Sequence, residues 1–234
     1  MHVTHKKLPT QSTYFMNRNP LETVKSHTYL GVELNHKLTW ADHINSTASK
    51  ANRVLGLLRR NLYSCSAAVK ETAFKTLVRP KLEYCASIWD PHHQNHKDRL
   101  EAVQRRAARF VCKDFRRKSS VSSMISKLGW KSLEERRAVS RLTLLYKSVN
   151  HIVAMNTDQH QTKPVGGVST RKSASISFIH PTTKKDCLKF SFLPRTTAEW
   201  NLLPANTRES TSVNAFKSKL NNMQMSSFLR GAHH

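Results

Sequence analysis

The chain has 234 residues and carries 39 lysines and arginines against 15 aspartates and glutamates, a formal net charge of +24. A sequence pI near 10.4 indicates a phosphate-rich partner, either nucleic acid or an anionic membrane face. No apolar run approaches the roughly 18 residues that span a bilayer, which argues against an integral membrane protein. The first residues lack the apolar core of a secretion signal, so we expect an intracellular protein, without resolving nucleus from cytoplasm.

The start of the chain favours β-structure. Residues 28–34 are rich in β-formers, and Asn35 and His36 supply a turn before residues 38–40 return as a second strand. An earlier run, 11–16, is a candidate for another short strand. The sequence therefore predicts a small β-hairpin ahead of the helices.

Two long amphipathic helices follow. The first is predicted from Asp42, as its N-cap, to about Asn61, and the second from about Asn95 to Cys112. Apolar side chains recur at helical spacing along one face of each helix. These faces consist of Ile44, Ala48, Ala51, Leu55 and Leu58 in the first helix, and of Leu100, Val103, Ala107, Phe110 and Val111 in the second.

Arginines and lysines occupy the other faces of these helices and the segment after them. Such a face can meet the phosphates of a duplex and gain affinity by counterion release, without reading sequence. An ordinary solvated surface is the alternative interpretation, and residues 116–118 also fit a nuclear-localisation patch. The candidate nucleic-acid-binding residues are Arg53, Arg60, Arg105, Arg106, Arg109, Lys113, Arg116, Arg117 and Lys118.

Shorter helices are predicted around the two long ones. One begins near Ser66 and is broken or kinked at Pro80, because proline lacks the amide hydrogen and clashes with the preceding turn. A helix over residues 81–89 follows it. Further helices are predicted after three serine N-caps, of which the second opens a capping box: Ser120, Ser132 and Ser212.

The later part of the chain is less regular. Residues 156–177 are polar and show no clear period, which is typical of a linker or mobile loop. Residues 190–204 indicate an extended piece, a short helix and a proline stop. Four aromatic residues are interpreted as core residues rather than as platforms for bases: Tyr29, Trp40, Trp89 and Trp130.

These patterns divide the chain into four parts. Residues 1–41 form the β start, 42–152 a helical domain, 153–189 a polar linker and 190–234 a small C-terminal helical region. The predicted fold is mainly α, a helical bundle preceded by a small β-hairpin, with a partly irregular C-terminal region.

The cysteines do not follow a zinc-binding pattern. Cys65, Cys85, Cys112 and Cys187 are separated by 20, 27 and 75 positions, whereas zinc knuckles and fingers place ligands two to four residues apart. A histidine cluster at residues 92–96 lies in a predicted loop and has no cysteine beside it. We therefore expect free thiols, with no metal and no cofactor bound to this chain.

A series of short blocks, in order over residues 1 to 222, resembles the C-terminal third of non-LTR retrotransposon (LINE-type) reverse transcriptases, those of jockey- and CR1-like elements in particular. Each block alone is short, and their joint order carries the resemblance. The blocks are residues 29–32, 38–40, 43–44, 50–51, 55–56, 79–80, 82–84, 89–91, 104–109, 128–130, 133–137, 141–142, 192–195, 200–201 and 215–217.

The resemblance implies where parts of the chain belong in a polymerase. Tyr29, Leu30, Gly31 and Val32 correspond to the primer-grip hairpin at the edge of the palm, and the helices after Asp42 correspond to the thumb. In the family, the grip positions the primer terminus and the thumb follows the RNA–DNA duplex. The implied partners are RNA, DNA or a hybrid duplex, with an intact polymerase chain as a second partner, and no membrane.

The family's catalytic centre uses an adjacent aspartate pair and an upstream aspartate to hold two Mg²⁺ ions. This sequence has no adjacent aspartates; its six are Asp42, Asp90, Asp98, Asp114, Asp158 and Asp186. We therefore expect a truncated, catalytically incomplete fragment of an RNA-directed DNA polymerase that retains sequence-tolerant binding to RNA or DNA backbone. The alternatives are a free-standing basic binding or scaffold protein, and a transposon relic with no selected function.

Overall fold

A computed structural model of the chain describes residues 1–4, 12–155, 161–162, 177–179 and 183–232. Most of the predicted linker at 153–189, and the start of the strand predicted at 11–16, lie outside these residues. The described part is mainly helical with small antiparallel hairpins, as predicted. None of its helices is both long and apolar enough to cross a membrane.

The chain forms two compact units, each assembled from separate segments. Unit 1 consists of residues 1–85 and 91–128, and unit 2 of residues 86–90 and 129–234. These units divide the chain at other places than the four predicted parts do. The assignment of those parts to a palm edge and a thumb stays a prediction.

The helices and strands follow one another along the chain with short connections. In order they are β1 (Phe15–Met16), β2 (Asn19–Pro20), β3 (Ser26–Tyr29), β4 (Val32–Asn35), α1 (Ala41–Asn61), α2 (Ala67–Ala73), a π-helical turn (Phe74–Val78), α3 (Arg79–Glu83), α4 (Ala86–Trp89), α5 (Gln94–Cys112), α6 (Val121–Lys127), α7 (Leu133–Val149), β5 (Gln161–Thr162), β6 (Ser177–Phe178), α8 (Asp186–Lys189), α9 (Phe192–Asn201), α10 (Ala205–Arg208), α11 (Val213–Asn222) and α12 (Met225–Ala232).

The β3–β4 hairpin turns at Leu30 and Gly31, and not at Asn35 and His36 as predicted. Both turn residues have positive φ, 46° and 80°, as two-residue hairpin turns with the right twist require. The hydroxyl of Tyr84 donates a hydrogen bond to the Leu30 carbonyl at 3.0 Å, which fastens the turn to unit 1. Glycine supplies the second turn position without strain, and this signal lay inside the segment predicted as one strand.

His43 fastens β4 to α1. Its Nδ1 accepts a hydrogen bond from the backbone N–H of Glu33 at 3.2 Å, and its Nε2 lies 3.4 Å from the hydroxyl of Thr47. Burial, and after it the charge of Lys50, hold the pKa of His43 below its ordinary value. The ring therefore stays neutral at neutral pH, which is the form that can accept the Glu33 N–H.

The apolar faces predicted for α1 and α5 are confirmed, since all ten of their side chains are buried in the core of unit 1. The predicted serine caps are also confirmed. Each of the four hydroxyls accepts a hydrogen bond from the backbone N–H three residues later, which satisfies a donor that the helix itself leaves open. These serines are Ser66, Ser120, Ser132 and Ser212.

Pro80 does not break the helical run that contains it. The run passes from α2 through the π-helical turn Phe74–Val78 into α3, and Pro80 lies in the first turn of α3. Proline cannot follow a regular helix without a clash, and the wider π turn just before it changes the hydrogen-bond register. The run ends at Tyr84, and Cys85 has a left-handed φ of 50°, so the helix predicted at 81–89 is two short helices.

The apolar core of unit 2 is built around stacked aromatic rings. The centroid of the Phe216 ring lies 4.4 Å from that of Tyr146 and 5.8 Å from that of Trp200. Trp200 belongs to α9, which is helical from Phe192 although an extended piece was predicted there. Pro194 is compatible with this helix because it lies in the first turn, where its missing N–H has no helical partner.

A cluster of five ionic side chains is also buried in unit 2, each at most 6% exposed. Asp90 accepts from Arg137 Nε at 2.5 Å, pairs with Arg141, and lies 3.3 Å from Arg195 Nη1. Glu199 accepts from Arg141 Nη2 at 2.6 and 2.8 Å and lies 3.4 Å from Arg195 Nε. We call these five residues the buried ionic cluster.

The buried ionic cluster holds three positive charges and two negative charges away from water. Moving one ion into the interior costs several kcal/mol, and only well-placed opposite charges offset that cost. Burial lowers the pKa of Arg141 to about 10, while the carboxylate of Glu199 opposes this shift. Arg141 therefore remains charged at neutral pH and depends on its two carboxylates.

Replacing Asp90 by asparagine leaves three buried guanidinium groups with one carboxylate. We expect Asp90→Asn to lower the free energy of unfolding by about 3–5 kcal/mol, the usual cost of removing one member of a buried ion pair. Urea denaturation measures this. Asp98→Asn is the matched control, since Asp98 is exposed and bonds to Gln94 on its own helix; equal effects of the two substitutions would contradict the cluster's role.

The pKa of His43 predicts a pH dependence of stability. Because its folded pKa lies below that of the unfolded chain, the unfolded state binds more protons near pH 6, and stability falls as the pH drops below about 6.5. The expected slope is at most about 1.4 kcal/mol per pH unit. The pKa of His96 is also lowered, first by burial, so the test is the difference in slope between the natural chain and His43→Gln in urea titrations. Identical slopes would contradict it.

Candidate nucleic-acid interface

In unit 1, α1 and α5 run in the same direction, with residues 54 positions apart lying side by side. Arg99 donates a hydrogen bond to the side-chain oxygen of Asn45, and Arg106 donates one to Asn52 Oδ1 at 3.1 Å. Members of each helix are seven residues apart, about two turns. The two pairs therefore form a regular ladder along one side of the helix pair.

The same spacing leads to Arg59 on α1 and to Lys113, the C-cap of α5. Here neither side chain pairs with an asparagine. The guanidinium of Arg59 lies 5.1 Å from the centroid of the Phe115 ring, and Lys113 Nζ lies 5.1 Å from that of Tyr63. The ladder thus ends in two cations that rest on aromatic rings, a favourable arrangement.

A groove of about 530 Å³ opens at this end of the helix pair. We call it the basic groove. Its described lining has four cationic side chains, three aromatic rings and a glycine, but no carboxylate: Gly56, Arg59, Arg60, Tyr63, Lys70, Phe110, Lys113 and Phe115.

Lys70 is the most deeply placed cation of the basic groove, at 3% exposure. Its ammonium lies 5.5 Å from the centroid of the Phe110 ring. A cation–π contact offsets part of the loss of hydration, but a buried charge is stabilised more strongly by an opposite charge. The electrostatics of the groove therefore favour an anion.

Six of the predicted binding residues have exposed side chains that surround or extend this region. Arg53 lies seven residues before Arg60, hence on the same face of α1. Arg105 has only a 3.4 Å contact, with the Asp98 carbonyl. The six exposed residues are Arg53, Arg60, Arg105, Arg106, Arg117 and Lys118, and Lys113 is exposed within the groove.

Arg109 is used inside unit 1. Its guanidinium donates to three backbone carbonyls of the segment after α5, those of Asp114, Arg116 and Ser119, at 3.4, 3.0 and 3.3 Å. This side chain therefore fixes the path of the segment that carries Phe115 into the basic groove. Its predicted contact with phosphate stays a prediction.

Arg116 is paired with a carboxylate. Its Nε and Nη2 donate to the two oxygens of Asp114 at 3.1 and 3.0 Å. These bonds from Arg116 are the main reason why the pKa of Asp114 lies well below its usual range. Arg116 therefore adds less positive potential than the exposed neighbours Arg117 and Lys118.

The residues predicted as a primer grip form the tip of the β3–β4 hairpin. Tyr29 and Leu30 are 62% and 72% exposed, whereas Val32 is buried. The expectation of a core position was therefore wrong for Tyr29, because no element covers that side of the hairpin among the described residues. It was right for Trp89, which is completely buried.

The carboxylates do not form a magnesium site. Mg²⁺ requires oxygen ligands in an octahedral shell, and the oxygens of Asp90 and Glu199 are already occupied by three arginines. Across the described ranges, no group of three or more His, Cys, Asp and Glu side chains is placed to hold a metal ion. This donor set does not fit the metal of the implied family.

Five residues of the interface were missed from the sequence: Arg59, Tyr63, Lys70, Arg99 and Phe115. One signal was available for Arg59 and Arg99. The series Asn45, Asn52, Arg59 and the series Arg99, Arg106, Lys113 each repeat every seven residues. The others come together only through packing of α1, α2 and the segment after α5.

Comparison with known proteins gives two partial similarities. Over 112 residues, the chain is 30% identical to a retrovirus-related Pol polyprotein from the type-1 retrotransposable element R1 of Nasonia vitripennis, a match that covers 46% of this chain and 33% of that protein. Over 108 residues, it is 24% identical to a probable RNA-directed DNA polymerase from transposon X-element of Drosophila melanogaster, covering 45% of this chain and 12% of that protein.

These similarities relate a region of the chain to non-LTR retrotransposon polymerase proteins. The matches span a third or less of the length of each relative. No family model matches the chain, and no solved structure matches it.

Substitution of Arg109 tests its role in fixing the segment after α5. We expect Arg109→Gln to speed amide hydrogen exchange in residues 114–120 and to lower the local opening free energy by about 1–3 kcal/mol, since it removes bonds from a charged donor. Arg105→Gln removes the same charge from an exposed position and serves as the control. Unchanged exchange in Arg109→Gln would show that the segment is held by other contacts.

Proposed function

We propose that this chain is a nucleic-acid-binding part of a retrotransposon RNA-directed DNA polymerase, and that unit 1 grips the backbone of RNA or DNA without reading sequence. Two relatives named as retrotransposon polymerase proteins support the origin. The observation that carries the binding is the ladder of basic side chains along α1 and α5, which leads into a groove lined by cations without a carboxylate.

The dimensions of the ladder suit a nucleic-acid backbone. Arg99 and Lys113 are 14 residues apart, about 21 Å along a helix, which is roughly the axial length of six nucleotide steps at about 3.4 Å each. Cations repeated over that distance can meet several phosphates of one strand. Contacts of this type fix position and orientation and carry no sequence information.

The finer assignments belong to the same proposal. The β3–β4 hairpin would act as a primer-grip-like element, and α1, α2, α3, α5 and α6 as a thumb of jockey- or CR1-like type. The proposal gives the chain no polymerase step of its own, because its sequence lacks the adjacent aspartates that hold the catalytic Mg²⁺ ions in the family. An intact polymerase chain is the proposed second partner.

The test is binding to a labelled RNA–DNA hybrid over a range of salt concentrations. We expect the logarithm of the affinity to fall linearly with the logarithm of salt. A triple variant, Arg53→Gln/Arg60→Gln/Lys113→Gln, should weaken binding to all sequences alike and reduce the slope by about one for each lost phosphate contact.

The matched control removes three charges from exposed positions of unit 2, as Lys184→Gln/Lys185→Gln/Lys217→Gln. If attraction came only from the total charge of +24, both triple variants would lose equal affinity, and the interface in unit 1 would be ruled out. Absence of salt-sensitive binding in the natural chain would leave a free-standing basic protein or a transposon relic.

A further inference from the structure

The basic groove has a feature that binding to a duplex backbone does not require: exposed aromatic walls. Tyr63 is 60% exposed and Phe115 is 49% exposed. Lys113 covers one side of the first ring and Arg59 one side of the second. Each ring is therefore held by a cation while part of its surface remains open to a ligand.

The floor of the groove is open because of a glycine. A Cβ atom added to Gly56 would meet no atom within 4 Å. Gly56 lies within α1, where glycine is less favourable than other residues, so its absence of a side chain makes room at a cost to the helix. The volume of about 530 Å³ falls within the about 300–1,000 Å³ of small-ligand sites.

The charges and rings together define the chemistry of the ligand. Arg59, Arg60 and Lys113 present donors for an anion at the rim, and Lys70 adds a positive charge below them. Flat, exposed rings stack on flat, apolar faces, and bases stack on such rings with little regard to sequence. A nucleotide offers both parts, an anionic phosphate and a flat base.

We propose that the basic groove binds an unpaired nucleotide of single-stranded RNA or DNA, with its base against Tyr63 or Phe115 and its phosphate against Arg59, Arg60 and Lys113. This inference rests on the proposed function and narrows it. In a duplex, the faces of the bases are stacked on their neighbours, so the rings can meet only an unpaired base. The groove thus favours a strand end, an overhang or a loop over continuous duplex.

The decisive variant fills the groove without breaking its walls. Gly56→Leu places a side chain in open space and also favours the helix, so the variant should fold with an unfolding midpoint equal to or above that of the natural chain. Gly56→Ala is the matched control, because a methyl group leaves most of the groove free. Tyr63→Leu/Phe115→Leu removes the stacking surfaces while keeping every charge.

The probes are single-stranded RNA and DNA 12-mers with one 2-aminopurine, whose fluorescence is quenched when it stacks, and duplexes of the same length. We expect quenching with the natural chain and with Gly56→Ala. Gly56→Leu and the double variant should abolish the quenching and weaken single-strand binding by about 5- to 150-fold, the usual range for loss of one base stack. Duplex binding should stay unchanged.

The controls separate the failure of this inference from failure of the proposed function. Tyr14→Leu removes an aromatic ring that is equally exposed but lies outside the groove, and it should leave all binding unchanged. Salt-sensitive binding without quenching, or equal losses for single strands and duplexes, would overturn the groove proposal and leave backbone binding intact. Binding of phosphatidylserine vesicles that Gly56→Leu abolishes, with no quenching of either 12-mer, would assign the groove to a membrane surface instead.

Discussion

The buried ionic cluster is the constraint on which the architecture of unit 2 depends. Asp90 comes from a five-residue segment that precedes α5, Arg137 and Arg141 from α7, and Arg195 from α9. A charge in the interior is tolerated only where its partners stand at hydrogen-bonding distance. These three segments can therefore combine in few ways, and the apolar core around Trp200 forms on top of that arrangement.

The same cluster explains what the resemblance to polymerases records. Four of its five residues, Asp90, Arg137, Arg141 and Arg195, belong to the short blocks that carry the resemblance, and all four are buried. The blocks therefore describe how this part of the chain packs rather than which atoms it touches in a partner. Seven of the eight residues of the basic groove lie outside the blocks, so the proposed binding depends on geometry.

Local order was predictable from the sequence and long-range pairing was not. Helix periods and serine caps act over three or four residues, and they gave the two long helices and their buried faces. Asp90 looked like the end of a short helix before a proline, because its partners lie 47 and 105 residues away. Likewise Arg109 looked like one of several equivalent surface arginines, since its bonds to later carbonyls exist only once the chain turns after α5.

The interrupted path of the chain has a consequence for folding during synthesis. All of unit 1 has been made once residue 128 has left the ribosome, whereas Asp90 must wait for Arg195, 105 residues downstream of it. At about 5–20 residues per second, that delay is roughly 5–20 s. During this time the short segment at 86–90, including Trp89, lies outside any finished core, which makes it a natural target for a chaperone on the nascent chain.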